Sequence, residues 1–438
     1  MNTYAKQLKN KIFTLISEIS ESSSKFTTFD PHAFTRKSKW GIQSLMKFIL
    51  SCNNNSLGIE IGKFFSYKSD FPTPSSFVQQ RKKLSYTAFE QLFQMFNQQT
   101  DTLPQLYKGY RLLALDGSEL DIPYNPNESN CKKTKKSEKG VSTLYLHALF
   151  DVISRTFVDV FVEKEQKKDE KGSGCTLIDR LTDKYPALII ADRNYESYNF
   201  FAHIEERDFN YVIRIKDIHS VGILSGIDKP KEEEFDITRR VFITRKHNLL
   251  TDIQSHKYKY ISKKKRFDFI ESESEDSYEM IMRFVRFRIS DSTYECLATN
   301  LSEEIFTSKD LKEIYRLRWC IETGFLFLKY VIGLISFHSK QENSILQEVF
   351  AKLIMHNFSM LIVSKIKISK KKNLKNDLQV NRTQAVHICH YFFTQPDNQP
   401  LFNIKETILK FLLPVRPNRT VPRTVRDTNA VPFNYRLT

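Results

Sequence analysis

The first hundred residues carry apolar positions at helical spacing. The segments SLMKFILS, SLGIEIGKFF and TAFEQLFQMFNQ each repeat apolar residues every three or four positions, and the Pro- and Ser-containing stretch FPTPSSF separates the last from the others. We therefore predict an all-α N-terminal domain over residues 1–105.

After Tyr110 the pattern changes to short apolar runs. YRLLALDGSEL, TLYLHALFDV and RTFVDVFVE look like three strands of an antiparallel meander, with a Lys-rich loop, NPNESNCKKTKKSEKG, between the first two. A helix (CTLIDRLTDKY), a strand (PALIIADRNYES), a helix (YNFFAHIEERD) and a strand (NYVIRIK) follow. This order predicts a mixed α/β sheet covered by helices, whose first part spans residues 106–216.

Residues 217–300 interrupt this alternation. The span from Arg239 to Arg266 holds ten Lys or Arg and a single acid, whereas Asp268 to Glu279 holds six acids, and such blocks belong on surfaces or loops. Strand-like segments (RRVFIT, YEMIMRFVRFRIS, TYECLATNL) alternate with them, so we predict a mainly β insertion. The core then resumes over 301–366, where NSILQEVFAKLIMHNFSMLIV reads as a core helix, and a basic region follows over 367–438.

The segment YRLRWCIETGFLFLK at the start of the second core part combines apolar and charged residues. In one continuous α-helix, Tyr315, Arg318, Glu322 and Lys329 would fall at about 0°, 300°, 340° and 320°, on a single stripe. Thr307, followed three residues later by Asp310, predicts a capping box before it. The sequence thus predicts a helix with one apolar face and one face that carries these four polar side chains.

Composition narrows the class of protein. The chain has 438 residues with 40% hydrophobic content and a net charge of +16, which suits a globular protein with a polyanionic partner. It lacks a run of about 18 apolar residues and a secretory leader, so we expect a cytoplasmic protein without a membrane segment. The six cysteines are scattered singly, which argues against a zinc ribbon and against a disulfide scaffold.

Two N-terminal basic clusters are candidate DNA contacts, and solvated basic surface is an equally good explanation of each one taken alone. They are Arg36, Lys37 and Lys39, and Arg81, Lys82 and Lys83. A later Lys run is a candidate phosphate-contacting loop or a solvated linker; it consists of Lys365, Lys367, Lys370, Lys371, Lys372 and Lys375. The Pro-containing tail with Arg416, Arg419, Arg423 and Arg426 is predicted to be extended.

Three carboxylates stand out as candidate metal ligands. Asp116 and Asp192 each end an apolar strand, and Glu322 lies on the polar stripe. Phosphodiester chemistry uses Mg²⁺ held by a few carboxylates, and two such ions can serve the attacking and the leaving oxygen. Each residue also has a plain alternative: an Asp-Gly turn at Asp116, a strand-end cap at Asp192, and an ordinary i, i+4 ion pair between Arg318 and Glu322.

Histidines give a weaker signal. His387 and His390 lie three residues apart without a second pair of ligands at suitable spacing, so a structural role is the better interpretation than zinc. His147 lies inside a predicted strand, where core packing or a hydrogen bond is expected. Trp319, about 40° from the stripe, could stack on DNA, but packing at the edge of the stripe is the simpler interpretation.

The pattern Tyr315-x2-Arg318-x3-Glu322-x6-Lys329 resembles the YREK signature of the DDE transposases of the IS-four family of insertion sequences. LALDGS around Asp116 and IIADRNY around Asp192 are similar to the family's two aspartate motifs. The N-terminal segments FTRKSKW and SFVQQRKKL and the closing RPNRTVPR and FNYRLT extend the resemblance over nearly the whole chain. Asn194 departs from it, because many relatives carry Gly at this position; the difference concerns loop shape.

This resemblance implies an RNase H-like fold and metal-dependent phosphoryl transfer. Asp116, Asp192 and Glu322 would be the catalytic metal ligands for two Mg²⁺ ions, which Mn²⁺ could replace. Tyr315, Arg318 and Lys329 would hold the phosphates of the DNA ends. The partners implied are double-stranded DNA, as terminal inverted repeats and target, and a second copy of the chain in a homodimer on DNA. Water would cleave at the element end and the freed 3′-OH would attack target DNA, with or without a hairpin.

Three other functions remain open on the sequence. An RNase H-like nuclease would cleave without joining DNA. A decayed transposase would bind DNA without activity. A purely structural basic protein would bind no divalent metal at Asp116 and Asp192.

Overall fold

The structure is a computed structural model, and it describes residues 1–28, 33–36, 38–100, 104–127, 131–134, 137–163, 169–182, 184–246, 257–274, 276–369, 376–396 and 402–416. For residues 131–134 and 137–141 only the backbone is described. Some residues of the predicted basic clusters lie outside these ranges, namely Lys37, Lys370, Lys371, Lys372, Lys375, Arg419, Arg423 and Arg426.

Ten strands of the described part form one mixed sheet. Their order is β2-β3-β1-β5-β6-β10-β9-β7-β8, and β4 pairs with β3. The strands are β1 Arg111–Ile122, β2 Cys131–Thr134, β3 Ser137–Asp151, β4 Thr156–Glu163, β5 Ala187–Ala191, β6 Asn210–Ile215, β7 Phe235–Thr244, β8 Tyr258–Tyr260, β9 Ser277–Ser290 and β10 Thr293–Thr299.

The centre of the sheet is parallel and its flanks are mainly antiparallel. β1 pairs parallel with β5, and β5 pairs parallel with β6. β1, β3 and β4 form the predicted antiparallel meander, and β6, β10, β9 and β7 are antiparallel on the other side. The predicted α/β class, with a large mixed sheet flanked by helices, is confirmed.

Side chains of β1 alternate between two hydrophobic cores, as the period of two in a strand requires. Leu112 and Ala114 lie in the larger core, and Leu113 and Leu115 lie in the second. The second core is covered by α6 (Glu170–Arg180) and α7 (Tyr198–Glu205). The larger core is covered by the remaining long helices, which are α1 Asn2–Glu21, α2 Ile42–Ser51, α5 Thr87–Thr100, α8 Ser308–Arg316, α9 Trp319–Tyr330, α10 Glu342–Ser364 and α11 Arg382–Thr394.

The long apolar helix α10 is central to the larger core, as the sequence predicts. Its length and hydropathy would also suit a membrane span, but 94% of its most apolar window is buried inside the protein, which is typical of a core helix. N-terminal helices α1, α2 and α5 pack against it. The shorter elements are α3 Leu57–Phe64, α4 Pro74–Arg81, α12 Ile404–Leu409 and a two-stranded sheet of β11 Leu378–Val380 and β12 Leu412–Pro414.

Some predicted boundaries shift. Backbone of the predicted Lys-rich loop forms β2 and the start of β3, because these residues add to the edge of the existing meander. The helix predicted from Cys175 begins at Glu170, where Asp169 caps it by accepting from Gly172 N at 3.0 Å, and it ends at Arg180. Strands of residues 217–300 continue the same sheet, since β10 pairs with β6.

The predicted basic cluster around Arg81 is corrected by the structure. Arg81 is only 3% exposed, and its Nη1 lies 2.9 Å from Glu348 Oε1 of α10. It is therefore neither solvated surface nor a DNA contact in this fold. Its Nη2 also donates to the carbonyl oxygen of Ser344 at 2.6 Å, so it ties α4 to α10.

Candidate active site

Asp116 and Asp192 lie at neighbouring positions on two parallel strands. The register of β1 and β5 pairs Leu115 with Ala191, and each aspartate directly follows its residue of that pair. Adjacent strands are about 4.8 Å apart, so the two carboxylates share one edge of the parallel part of the sheet. The apolar runs that place them there are buried because helices cover both faces.

Backbone contacts orient both aspartates. Asp116 Oδ1 accepts from Gly117 N at 2.8 Å, and Asp192 Oδ1 accepts from Asn194 N at 2.8 Å, capping the short 3₁₀ turn Arg193–Tyr195. The cap expected at Asp192 is therefore formed, whereas the turn expected at Asp116 is not. Asp116 does not end a strand, because β1 continues to Ile122 through its pairing with β3. The two hydrogen bonds leave the second oxygen of each carboxylate available for other partners.

The predicted single helix through Tyr315 and Lys329 is wrong, because the structure forms two helices, α8 and α9, with a tight turn at Leu317 and Arg318. Arg318 N donates to Tyr315 O at 3.0 Å and Ile321 N donates to Arg318 O at 3.1 Å, bonds of the tighter i to i−3 kind. No Pro or Gly marks this turn in the sequence. The capping box predicted at Thr307 and Asp310 is confirmed.

Arg318 connects β1 to α9. Its Nη2 lies 2.9 Å from Glu322 Oε1, and its Nη1 lies 3.8 Å from Asp116 Oδ2. Arg318 is 7% exposed, so this cation is held between the two carboxylates away from bulk water. The i, i+4 ion pair of the plain alternative is present, and in addition it places Glu322 beside Asp116.

The charges of the three carboxylates act on one another. Burial raises the pKa of Asp116, and the nearby charges of Asp192 and Glu322 raise it further, to about 6. The hydrogen bond from Gly117 and the charge of Arg318 oppose this rise without cancelling it. Negative charge on Asp116 is therefore disfavoured in this environment, and a nearby cation would stabilise it.

The other residues of the predicted stripe lie at different depths. Tyr315 is 4% exposed, and burial raises the pKa of its hydroxyl near Arg318, Glu295 and Arg214. Lys329 Nζ donates to the carbonyl oxygen of Glu119 on β1 at 2.5 Å. The stripe thus runs along β1, from Asp116 towards the end of the strand, and Tyr315 is packed beneath it.

Trp319 is half exposed at the start of α9. It is 48% accessible, and the Arg318 guanidinium lies 5.1 Å from the centre of its ring. The structure thus leaves a large aromatic surface open next to the acidic cluster. Packing at the edge of the stripe and stacking on a ligand are both compatible with this position.

Two residues near Asp116 were missed by the sequence reasoning. Glu170 Oε1 would lie 3.9 Å from a Cβ added at Gly117. Tyr195 is 1% exposed, and the charges of Asp116, Glu170 and Asp192 reach its hydroxyl, which has no hydrogen-bond partner among the described residues. Tyr195 could have been found from its place in the motif IIADRNY, whereas nothing local marks Glu170.

His147 lies under Gly117 and is fully buried. Its Nε2 lies 3.1 Å from Glu163 Oε2, which confirms the predicted hydrogen bond inside a strand. A Cβ on Gly117 would come within 3.0 Å of His147 Nδ1, so this glycine leaves the room that the imidazole occupies.

The donor set of the cluster suits a hard divalent cation, because it consists of carboxylate oxygens whose mutual repulsion a cation would relieve. Within the described part of the chain, however, no three Asp, Glu, His or Cys side chains are positioned to hold one metal ion together. Arg318 lies between Asp116 and Glu322 and supplies positive charge there. The residues fit the ion in chemistry, and side-chain adjustment would be needed for shared ligation.

These features define a mixed α/β protein with an acidic site where the parallel pairing of β1 with β5 ends. The model of the transposase DDE domain family matches residues 107–358, which is more than half of the chain and includes all three carboxylates. The chain belongs to this family of transposases.

Other comparisons add little. Among solved structures, the chain is similar to the piggyBac transposase in a cryo-EM structure of its synaptic complex with hairpin DNA. The identity is 9%, the TM-score is 0.46, and the match covers 96% of this chain and 87% of that one. No curated protein matches the sequence.

Proposed function

We propose that the chain is the DDE transposase of a bacterial insertion sequence of the IS-four family, which cleaves DNA at the ends of its element and joins the 3′-OH ends to target DNA. The observation that carries this proposal is the pairing of Leu115 with Ala191, which sets Asp116 beside Asp192, together with Arg318, which brings Glu322 to Asp116. Membership of the transposase DDE domain family supports it.

The strand order supports an RNase H-like core within this proposal. β4, β3 and β1 are antiparallel in succession, and β5 and β6 continue from β1 in parallel. The candidate ligands come from β1, from the end of its parallel neighbour β5 and from the helix α9, which packs on the sheet. Three positions far apart in sequence thereby meet at one edge.

In this proposal Asp116, Asp192 and Glu322 hold two Mg²⁺ ions, for which Mn²⁺ can substitute; the family generally uses divalent metal ions. When bound, such ions stabilise the charge on the attacking and the leaving oxygens of the phosphodiester. Arg318 balances the charge of Asp116 and Glu322, so it is placed to bind a phosphate that approaches the cluster.

Lys329 and Tyr315 have different parts in the same proposal. Lys329 lies beside the part of β1 that follows Asp116, where it donates a hydrogen bond to the carbonyl oxygen of Glu119. It could contact a DNA phosphate in place of this carbonyl. Tyr315 is buried, so we assign it to holding Arg318, whose guanidinium lies 5.8 Å from its ring centre. We further propose that the protein acts in the cytoplasm, as a homodimer that pairs two DNA ends.

Cleavage and joining of labelled element ends in Mg²⁺ or Mn²⁺ test the proposed function. The variants Asp116→Asn, Asp192→Asn and Glu322→Gln keep the side-chain shape and should lose both cleavage and strand transfer, by roughly a hundredfold or more for a group acting on the transition-state charge. Cleavage without joined products would instead identify a nuclease. No reaction by the parent chain on its own element ends would identify an inactive remnant.

A matched control is Asp208→Asn. Asp208 is an exposed carboxylate before β6, at the opposite edge of the parallel strands from Asp192, and its φ of 55° is one that Asn tolerates well. This variant should react like the parent chain. Full cleavage by the three site variants would contradict the assignment of the carboxylates.

A further inference from the structure

A basic cleft opens directly beside Asp192. Its volume is about 530 Å³, and its walls come from the first turn of α6, the residues after Asp192, the segment after β6 and the segment after β8. Five cationic side chains line it: Lys171, Arg193, Lys216, Lys265 and Arg266. We call this feature the 193–265 cleft.

Positive charge dominates the cleft. Asp169 and Glu196 are the two carboxylates in its lining. Glu196 is 8% exposed, and its oxygens accept from Lys216 N at 2.8 Å and Ile223 N at 2.7 Å. Its charge is thus used to fix the backbone of the wall. Burial lowers the pKa of Lys171, and the charges of Lys216 and Lys265 add to this effect while Glu196 opposes it.

Two of the cations are available to a ligand. The side chains of Arg193 and Lys265 form no hydrogen bond or ion pair with other residues that the structure describes. Arg266, in contrast, is fixed by two hydrogen bonds from its Nε to the carboxylate of Asp268, at 2.9 and 3.0 Å. The cleft therefore combines a rigid wall with free charges at its mouth.

Residues of the cleft lining are next neighbours in sequence of residues at the acidic cluster. Arg193 directly follows Asp192, which caps its 3₁₀ turn, and Lys171 follows Glu170, whose carboxylate lies near Gly117 beside Asp116. A strand of nucleic acid whose scissile phosphate lies at the cluster would extend towards the cleft. Arg193 and Lys265 would then meet its next phosphates.

We propose that the 193–265 cleft binds backbone phosphates of the DNA strand that passes Asp192, as a DNA contact separate from Tyr315, Arg318 and Lys329. This inference rests on the proposed function, since it takes DNA as the ligand. According to this inference, part of residues 217–300 binds DNA near the site of reaction. Contacts of this kind fix the position of the strand and carry no sequence information.

Binding of a fluorescein-labelled duplex of about 30 base pairs, in EDTA and over a series of salt concentrations, tests the inference. The double variant Arg193→Gln, Lys265→Gln should bind roughly tenfold more weakly and lower the slope of log K against log salt by about 2, since each lost phosphate contact removes about 0.9. EDTA keeps metal binding at Asp192 out of the measurement.

Two further variants serve as controls. Lys264→Gln removes the same charge from the same exposed segment without touching the cleft lining, and it should bind like the parent chain. Arg193→Lys keeps the charge and should keep the salt slope. An unchanged slope in the double variant, or an equal loss in Lys264→Gln, would overturn the cleft as a phosphate site.

The two proposals fail in different ways. If the parent chain binds the duplex but the double variant shows the parent slope, the cleft inference alone is wrong. If the parent chain binds no DNA at all, the proposed function is wrong and the cleft inference falls with it.

Discussion

Arg81 and Arg318 are two of several buried arginines that contact carboxylates, and each contacts one carboxylate whose pKa is shifted. The two pKa shifts have opposite directions. Arg81 lies 2.9 Å from Glu348, with both side chains at most 4% exposed. Burial by itself would raise the pKa of Glu348, but Arg81 and His338 lower it to about 2. Arg318 also lies 2.9 Å from its Glu322, yet the pKa of Asp116, its second carboxylate, is raised to about 6.

The difference is one of charge balance. Glu348 is contacted by Arg81 and by His338, whose Nδ1 lies 3.2 Å from it, and both neighbours lower the pKa of this carboxyl. In the candidate active site, one arginine contacts both Asp116 and Glu322, while Asp192 adds its own negative charge. The cluster around Glu348 is a structural link between α4 and α10. The cluster around Asp116 has more negative than positive charge, which a bound metal ion would neutralise.

The largest effect should come from breaking the balanced cluster. Arg81→Ala leaves Glu348 buried without its main partner, so we expect a loss of about 3–5 kcal/mol in the free energy of unfolding. Arg318→Ala should cost clearly less, because Glu322 is 28% exposed and reaches water. Chemical denaturation of both variants measures the comparison. Equal losses would show that the two arginines have the same structural role.

The next effect has the opposite sign and depends on pH. Asp116→Asn removes a charge that the folded protein disfavours, so without metal it should stabilise the fold by roughly 2–3 kcal/mol at about pH 8. Because the folded pKa of about 6 lies above the ordinary value of 3.8, ionisation of Asp116 opposes folding. The penalty is complete above the folded pKa and disappears as the pH falls below the ordinary value.

Thermal unfolding in EDTA across this pH range checks that prediction. The difference in stability between Asp116→Asn and the parent chain should disappear as the pH falls. A difference that stays constant with pH would mean that the neighbours of Asp116 do not disfavour its ionisation. Asp208→Asn should show no such difference at either end of the range, because Asp208 is an exposed surface residue.

The smallest effect concerns the buried hydroxyl of Tyr195. Tyr195→Phe removes a polar group that has no hydrogen-bond partner among the described residues, so it should stabilise the metal-free protein by about 1 kcal/mol. Tyr211→Phe is the matched control. Its buried hydroxyl donates to Glu205 Oε1 at 3.3 Å, and its loss should destabilise by a similar amount. Denaturation midpoints that shift in the same direction for both variants would refute the distinction.

The sequence predicts what is local in this fold. The apolar runs that end at Asp116 and Asp192, the alternation of strands and helices, and the capping box at Thr307 follow from spacing alone, because periodicity reports which face is buried. Asp116 and Asp192 could be proposed as a pair of functional carboxylates because each follows one of these runs. These features needed no knowledge of the partners.

What could not be predicted depends on distant partners. The pairing of β1 with β5 is set by packing across the sheet. The turn at Leu317 and Arg318 carries no Pro or Gly that would mark it in the sequence. The burial of Arg81 is set by α10, whose Gln347, 266 positions away, accepts from its Nε. A basic run in sequence looks the same whether its partner is water, DNA or a distant glutamate.

The most direct measurement of the central claim, that Asp116, Asp192 and Glu322 form one cation-binding cluster, is calorimetric titration of the metal-free protein with Mn²⁺. We expect binding by the parent chain and by Asp208→Asn, and its loss in each of Asp116→Asn, Asp192→Asn and Glu322→Gln. Binding of Mn²⁺ that is unchanged in all three site variants would contradict the claim.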